Sequence, residues 1–482
     1  MSSKTTLWWT LLAALICTAP MQAATPDEQF RDAEKYFREM TWDRAAAGYE
    51  AFIKAAPDDP RAAEAGYRQL FALSRLNRTD DLADRLGKFA EANRRSPWGL
   101  RARVLQANWL REHDRWSNWE KIANLYETAL TDYRSLLGRR PASAEELKEI
   151  NAWRLAAAAF YTEWWDERAK PLALGHLEDI IASRGDPEDI AQARVAQAEL
   201  YHGRYGDAKK AEAALLVVLN QHAQSKVADR AWLLLAQIAE QQENYPLART
   251  RYLELRRRFP RSEFEDEAKQ RIAEIEAPRL ELMLSRTHLP GAKIPFHFQT
   301  RNLKGVSFTA WSVDLFAAKD LSAQYLNELD KLRGTGKKVA SWRQSVADQG
   351  KYEFHVEAQK VPIQTPGLYV VEAVAEGKPA LKQAALLNVS NLVLVQSYAA
   401  RKLVSYTADR TSQQPVEGVE LRVLQPRRGN NEVRLRDAVS GKTNADGLFE
   451  TEVSPRADNG DWRLWTFGRL NGQYVFQDDG LY

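Results

Sequence analysis

Seven histidines are the side chains in this sequence best suited to acid–base chemistry or to zinc ligation. They are scattered along the chain without the His-x-x-x-His or His-Glu-x-x-His spacing that places two ligands on one helix face. Calcium at Asp446 or at Asp478-Asp479 is a second option, but no repeated oxygen-ligand spacing surrounds either position. The sequence therefore predicts no metal site and no cofactor.

Nucleophile and phosphate-binding motifs are also missing. Residues 334–338, with the letters GTGKK, contain a glycine–lysine pair but lack the spacing and the following hydroxyl of a phosphate-binding loop, so they are predicted to be a flexible connector. No Gly-x-Ser-x-Gly elbow is present, and the one cysteine, Cys17, lies near the N-terminus. We predict no enzyme activity.

Tryptophan is the other residue type that invites a functional interpretation, and the chain has 15 of them. Most are expected to fill gaps between helices. The pair Trp164-Trp165 differs, because adjacent positions of a helix do not face the same groove. One indole should therefore be exposed or covered by a neighbouring domain, and the pair is predicted to bind a partner. Stacking on a glycan, by this pair and by Trp462 and Trp465, is an alternative.

Composition limits the classes of protein and partner. The chain has 482 residues, 68 basic against 65 acidic side chains, 44% hydrophobic residues and a mean hydropathy of -0.52. Two to four globular domains are expected at roughly 100 to 200 residues each. A net charge of +3 gives no field that would attract nucleic acid, so nucleic acid is not predicted as a partner.

Residues 1–24 have the features of a signal peptide: a positive Lys4, an apolar stretch that ends at Cys17, and a small residue at Ala24. The mature protein is then exported, to the periplasm or cell envelope of a bacterium, with no membrane span after cleavage. Acylation of Cys17 would make it a lipoprotein, but Ile16 before it is bulkier than such processing favours.

Residues 25–276 repeat apolar and aromatic side chains at three- and four-residue spacing, which predicts a series of amphipathic helices. Two segments share steps of twelve, four and eight residues between small, aromatic and proline positions. These repeat-packing positions are Ala33, Ala45, Tyr49 and Pro57, and Ala236, Ala248, Tyr252 and Pro260.

The second set, together with Trp232, resembles the tetratricopeptide repeat. In such a repeat the alanines let two helices approach closely, the tyrosine fills the groove beside them, and the proline stops the second helix. The resemblance predicts an all-α solenoid that binds a protein partner.

After Pro278 the period changes to two, which predicts two all-β sandwiches, over 277–390 and 391–482. Pro295 inside a strand pattern predicts that its strand lies at a sheet edge. Residues 317–349 interrupt the alternation with leucines at helical spacing. The fold class is therefore multidomain, a helical solenoid followed by immunoglobulin-like sandwiches.

Several motifs of the second half carry a family resemblance. They are the segments 289–294 (LPGAKI), 301–303 (RNL), 366–371 (PGLYVV), 390–392 (SNL), 415–419 (PVEGV) and 441–449 (GKTNADGLF). In this order behind helical repeats, they resemble the macroglobulin (MG2-type) domains of bacterial alpha-2-macroglobulin-like proteins, over about residues 280–482. The resemblance implies a segment of an endopeptidase-inhibitor family. Protease inhibition is expected only if further C-terminal domains follow, because this chain offers no cysteine for the thioester of trapping members.

Three functions follow as hypotheses. The first is an exported, non-catalytic scaffold segment of a macroglobulin-like protein that binds a protein through its helices. The second is a free-standing envelope adaptor with a peptide-binding tetratricopeptide groove, and the third is a cell-wall glycan-binding protein.

Overall fold

A computed structural model describes residues 24–76, 81–318, 321–322, 328–347, 350–428, 433–453 and 463–481. The predicted signal peptide, with Cys17, lies outside these residues apart from Ala24, as does Trp462. The chain divides into two compact units, one ending at Ile238 and the other beginning at Ala239. Helices come first along the chain and sheets follow, as the sequence predicts.

The helices alternate with short turns up to residue 276. They are α1 Pro26–Arg38, α2 Trp42–Ala55, α3 Ala62–Leu76, α4 Leu82–Ala92, α5 Pro97–His113, α6 Arg115–Leu137, α7 Ala144–Glu163, α8 Ala169–Ala182, α9 Pro187–Leu200, α10 Ala208–Gln221, α11 Ala228–Gln241, α12 Tyr245–Arg258 and α13 Glu265–Glu276, with a π-helical turn at Tyr201–Tyr205. Within the described ranges, none combines the length and the apolar character that a membrane crossing requires.

Local sequence sets several helix starts. The side chain of Thr25 accepts a hydrogen bond from the backbone of Glu28, whose carboxylate accepts one from the Thr25 N–H in return. Ser143 and Glu146 form the same reciprocal pair at α7. Such capping boxes satisfy backbone donors that have no partner inside the helix.

The first unit packs its helices in neighbouring pairs. At the α1–α2 contact, a Cβ added to Gly48 would lie 2.9 Å from the Cβ of Ala33, so the two backbones approach as closely as small residues allow. Tyr49 is fully buried beside this contact, and its hydroxyl donates to Glu34 at 2.7 Å. Each pair buries an apolar stripe of this kind and leaves its other face to water.

The second unit contains α12, α13 and all the strands. The strands are β1 Arg279–Leu284, β2 Thr287–His288, β3 Ile294–Arg301, β4 Gly305–Ser312, β5 Lys337–Ser345, β6 His355–Val361, β7 Gly367–Ala375, β8 Lys382–Val389, β9 Leu392–Ala399, β10 Lys402–Asp409, β11 Glu420–Arg428, β12 Val433–Lys442, β13 Leu448–Glu452, β14 Leu464–Leu470 and β15 Gln473–Leu481, with a short helix α14 Leu329–Arg333 before β5.

Four sheets result, with strand orders β1-β3-β6, β2-β8-β7-β4-β5, β13-β10-β9 and β12-β11-β14-β15. The first two share a core around Phe296, Phe298 and Phe308. The turn before β13 needs its glycine, because Gly447 has φ 71° and a Cβ there would lie 2.4 Å from the carbonyl oxygen of Thr407.

A further core joins elements of both predicted sandwiches. Val370 and Leu386 of the first pack in one cluster with Trp465 and Phe467 of the second. Beside it, Asp314 accepts hydrogen bonds from the Tyr474 hydroxyl at 3.1 Å and from Arg469 at 3.2 Å. Burial raises the pKa of Tyr474 to about 12, so this hydroxyl stays a donor at neutral pH.

Two local predictions are wrong. Residues 337–345 form β5, paired antiparallel with β4, whereas the sequence predicts a connector over 334–338 and no strand within 317–349. The strand was missed because β5 ends its sheet and carries mostly polar side chains. Pro295 lies in β3, which is the central strand of its sheet. The proline is tolerated because the β1 pairing ends at Phe296, so that Pro295 has a neighbour on one side only.

Candidate functional site

The Trp164-Trp165 pair lies just beyond a helix. Helix α7 ends at Glu163, and Trp164 has extended backbone angles, φ -81° and ψ 114°. The prediction that both indoles occupy helical positions is therefore wrong. The extended residue separates the two side chains: Trp164 packs against the core of the first unit, while Trp165 is 80% exposed.

Trp116 is the second exposed indole, and a break in helix α6 positions it. Asn118 has non-helical angles, φ -128° and ψ 17°, and its amide donates to the carbonyl and the carboxylate of Asp114. The first turn of α6 is thereby set apart from the rest of the helix. Trp116, in that turn, is 73% exposed.

Two half-buried indoles lie next to the exposed ones: Trp119 contacts Trp116, and Trp164 precedes Trp165 in the chain. Trp119 stacks on Trp164 with ring centroids 5.4 Å apart and an interplanar angle of 18°, and the edge of Trp116 meets Trp119 at 6.0 Å. The buried ring of Phe160 supports Trp119 at 4.7 Å. We call Trp116, Trp119, Trp164 and Trp165 the tryptophan ladder.

One arginine lies against each exposed ring. Arg115 lies 5.1 Å above Trp116 and Arg204 lies 4.9 Å above Trp165. Arg204 also donates to the carbonyl oxygens of Thr162 and Trp164, at 2.5 and 2.9 Å, so it closes the end of α7 and fixes the chain before Trp165.

Glu163 forms ion pairs with two arginines beside the tryptophan ladder. It accepts two hydrogen bonds from Arg111 and one from Arg115, and the Arg111 bond holds the pKa of its carboxyl below the ordinary value. These three residues and Trp116 line a cavity of about 630 Å³. The surface therefore offers flat apolar rings beside a paired ionic cluster, which suits a peptide or another ring-bearing ligand.

The predicted repeat-packing residues lie inside the helical region. Buried alanines and tyrosines occupy the helix contacts, Trp232 is half-buried, and each proline follows the end of its helix. The buried set is Ala33, Ala45, Tyr49, Ala236, Ala248 and Tyr252; the prolines are Pro57, beyond α2, and Pro260, beyond α12. The buried members are packing positions between helices.

The second tryptophan pair behaves differently. Trp465 is buried in the core that joins the two sandwiches, so it presents no ring for a sugar. Sequence reasoning also missed the exposure of Trp116, for which Asp114 and Asn118 around it are the available signal, since both favour breaks at helix starts. In the described part of the chain, no three His, Cys, Asp or Glu side chains meet as metal ligands would.

No protein-family model matches this chain, and no curated protein does. Among solved structures, it is similar to alpha-2-macroglobulin from Escherichia coli spanning domains MG0-NIE-MG1, at 17% identity and a TM-score of 0.31. That match covers 42% of this chain and 64% of the other, so this chain spans less than two thirds of it.

Two further neighbours are helical. PilW, a type IV pilus biogenesis factor, has 16% identity and a TM-score of 0.36, over 51% of this chain and 100% of its own. The C-terminal part of a TPR repeat-containing protein from Cytophaga hutchinsonii has 14% identity and a TM-score of 0.36, over 51% and 86%. The neighbours thus include macroglobulin fragments and a TPR repeat-containing protein.

Proposed function

We propose that this chain is a non-catalytic scaffold of an exported, alpha-2-macroglobulin-like protein, and that it binds a protein partner through its helical repeats. One observation carries the binding role. Two indoles in the helical unit, Trp116 and Trp165, are 73% and 80% exposed, and each has a neighbour against its ring: the edge of Trp119 at Trp116 and the guanidinium of Arg204 at Trp165. Large rigid rings that are fixed before binding lose little entropy on association, which is why tryptophan is enriched among the residues that dominate binding energy.

The charge arrangement supports the same role. Arg111 and Arg115 share Glu163, so ion pairs border Trp116, and Arg204 beside Trp165 is bound to carbonyl oxygens. Apolar rings with a charged rim are the usual anatomy of a protein interface. Export remains part of the proposal and rests on the pattern of residues 1–24. Protease inhibition enters it only with additional C-terminal domains.

The test uses the mature chain, with Trp116→Ala and Trp165→Ala combined, and Leu216→Ala as the control. Leu216 is also an exposed apolar residue of the helical unit. Each protein is cross-linked in envelope extract, and the captured proteins are quantified by mass spectrometry. The double variant should lose at least one partner about ten-fold or more, as expected for two interface anchors, while the control keeps it.

Capture of an unchanged set of proteins by the double variant would overturn the binding role of the ladder. Retention on purified cell-wall fragments, lost in the same variant, would favour the glycan-binding alternative instead. Trp465→Ala is unsuitable for that arm because the side chain is buried and its loss would damage the core.

A further inference from the structure

The second unit contains a cleft of about 650 Å³ between helices α12 and α13 and the β1-β3-β6 sheet. Helices α12 and α13 contribute Tyr245 and Glu274, strands β1 and β3 contribute Arg279 and Arg301, and the segment before β6 contributes Phe354. We call these five residues the Arg301 cleft. They belong to a different unit from the tryptophan ladder.

Arg301 is only 7% exposed. One of its terminal nitrogens donates to the main-chain oxygen of Glu274, whereas its Nε has no hydrogen-bond partner in the part of the chain that the structure describes. Within the described ranges, no carboxylate lies at ion-pair distance from it. A guanidinium taken out of water without a counter-charge is costly, so its presence here requires a reason.

The next residue fixes where Arg301 stands. The amide of Asn302 donates to the carbonyl oxygens of Ile275 and Ala277, at 2.8 and 3.1 Å, and ties the end of β3 to the end of α13. Asn302 takes a left-handed conformation, φ 56°, which asparagine adopts more readily than most residues. The arginine is therefore held in place before any ligand arrives.

Two aromatic rings lie against the guanidinium. Its central carbon is 4.8 Å from the centre of Phe354 and 5.9 Å from that of Tyr245. Rings stack on the faces of the guanidinium plane, whereas N–H groups point outwards within the plane. The edge that carries the unpaired Nε is therefore the part left for an acceptor.

A second arginine adds to the positive charge. Arg279 lies directly opposite Arg301 in the β1–β3 register, is exposed, and forms no ion pair among the described residues. Burial, and after it the charge of Arg279, lowers the pKa of Arg301. Three carboxylates also line the cleft: Glu240 and Glu274 are held by Arg271, and Glu281 lies on β1 two residues after Arg279.

We propose that the Arg301 cleft binds the carboxylate of a peptide, with Arg301 as the main donor and Arg279 as a second cation. A carboxylate matches the in-plane edge of a guanidinium. The volume exceeds what a lone carboxylate needs, and Phe354, 45% exposed, offers an apolar wall for the side chain beside it. Gln299 and Gln383 line the same cleft and supply amides for main-chain groups.

Calorimetric titration of the full chain with three blocked tripeptides tests this proposal. The first, of two alanines and a phenylalanine, has a free C-terminal carboxylate; the second is its amide; the third is an amide with glutamate at the middle position. Binding of the first alone assigns a C-terminal carboxylate, and binding of the third as well extends the ligand to acidic side chains. In both cases the simple amide should bind about ten-fold more weakly or worse.

Arg301→Gln should lose about ten-fold or more in affinity for the carboxylate peptide, and Arg279→Gln about two- to five-fold. Arg343→Gln is the matched control: it removes one positive charge from an exposed arginine that pairs with Glu376 in the same unit. Both this control and Trp165→Ala should bind the peptide like the unmodified chain.

Equal affinity for the carboxylate and the amide would overturn the proposal, and so would no detectable heat with any tripeptide at about 1 mM. Thermal unfolding of each variant shows whether it is folded. If Arg301→Gln is unfolded, Arg279→Gln and Phe354→Ala test the proposal in its place, because both replace exposed side chains. Unchanged peptide binding by both variants would contradict the assignment.

Discussion

The tryptophan ladder and the Arg301 cleft both place arginine against aromatic rings, but they neutralise the positive charge to different degrees. In the ladder, Arg115 pairs with Glu163, while Arg204 donates to two carbonyl oxygens and keeps one terminal nitrogen without a partner among the described residues. In the cleft, Arg301 is buried with one carbonyl partner and an Nε that has none among those residues. The contact between arginine and ring thus lies beside an ion pair at Trp116 and beside a cation without a counter-charge at Phe354.

The comparison teaches which part of each site is structural. In the ladder, the rings beneath the surface pack on the core, and Arg204 holds the end of α7. In the cleft, Asn302 makes two hydrogen bonds to the end of α13 and Arg301 makes one, so Asn302 is expected to hold the backbone more strongly. Stability should therefore depend on the rings in one unit and on the asparagine in the other.

The largest effect is expected from Phe160→Ala. This fully buried ring supports Trp119 and also contacts Tyr126 and Tyr161. Its removal should lower the free energy of unfolding by about 3–5 kcal/mol, measured by urea unfolding with far-UV circular dichroism. Phe160→Leu, the control, should cost about 1.5 kcal/mol or less. A loss below about 1 kcal/mol for the alanine variant would detach the ladder from the core.

Next comes the pair Asn302→Ala and Arg301→Met. Asn302→Ala removes two hydrogen bonds to carbonyls of α13 and places alanine at φ 56°, so we expect a loss of about 1–3 kcal/mol. Arg301→Met removes a buried charge and should change stability by less than about 1 kcal/mol. Calorimetric unfolding measures both. The reverse order would make Arg301 the structural member of the pair.

Glu163→Gln should have a smaller effect. Its carboxyl has a lowered pKa in the folded chain, so it contributes stability above the ordinary carboxyl pKa, and that stability disappears as the pH falls through the folded value. Because the side chain is 39% exposed, screening limits the contribution to below about 1 kcal/mol. The difference in urea unfolding between chain and variant should vanish in acid. A difference that grows in acid would contradict this account.

Trp165→Ala should change stability least, by about 0.5 kcal/mol or less, because the ring is 80% exposed. The neighbouring Trp164 packs on the core of the first unit, so Trp164→Ala should lower the free energy of unfolding several times more. Thermal midpoints of the two variants, measured side by side, test the contrast. Equal losses would show that the extended residue at 164 does not separate their roles.

Much of the architecture follows from sequence periodicity. The change of period near Pro278 predicts the switch to strands, and the last helix ends at Glu276 with β1 beginning at Arg279. The contrast between three- to four-residue and two-residue spacing is a direct consequence of which side chains face a core. The edge strand β5 carries little of that signal, and it was missed.

The candidate sites were less predictable. The sequence singles out Trp164-Trp165 as a pair, but the end of α7 just before them depends on Arg204, forty residues after Trp164, which donates to the carbonyl oxygens of Thr162 and Trp164. Arg301 and Asn302 were noted only as part of a family motif. Their role depends on the carbonyls of α13, and a single sequence does not show which helix end will meet which strand.

The core that joins Val370 and Leu386 to Trp465 and Phe467 has a mechanical consequence. A hinge needs a few residues that can change their angles without exposing apolar surface. Here, bending between the two sandwiches would open that core and break the contacts of Asp314 with Tyr474 and Arg469. A force applied to the second sandwich is therefore expected to move the first with it, without bending between the two.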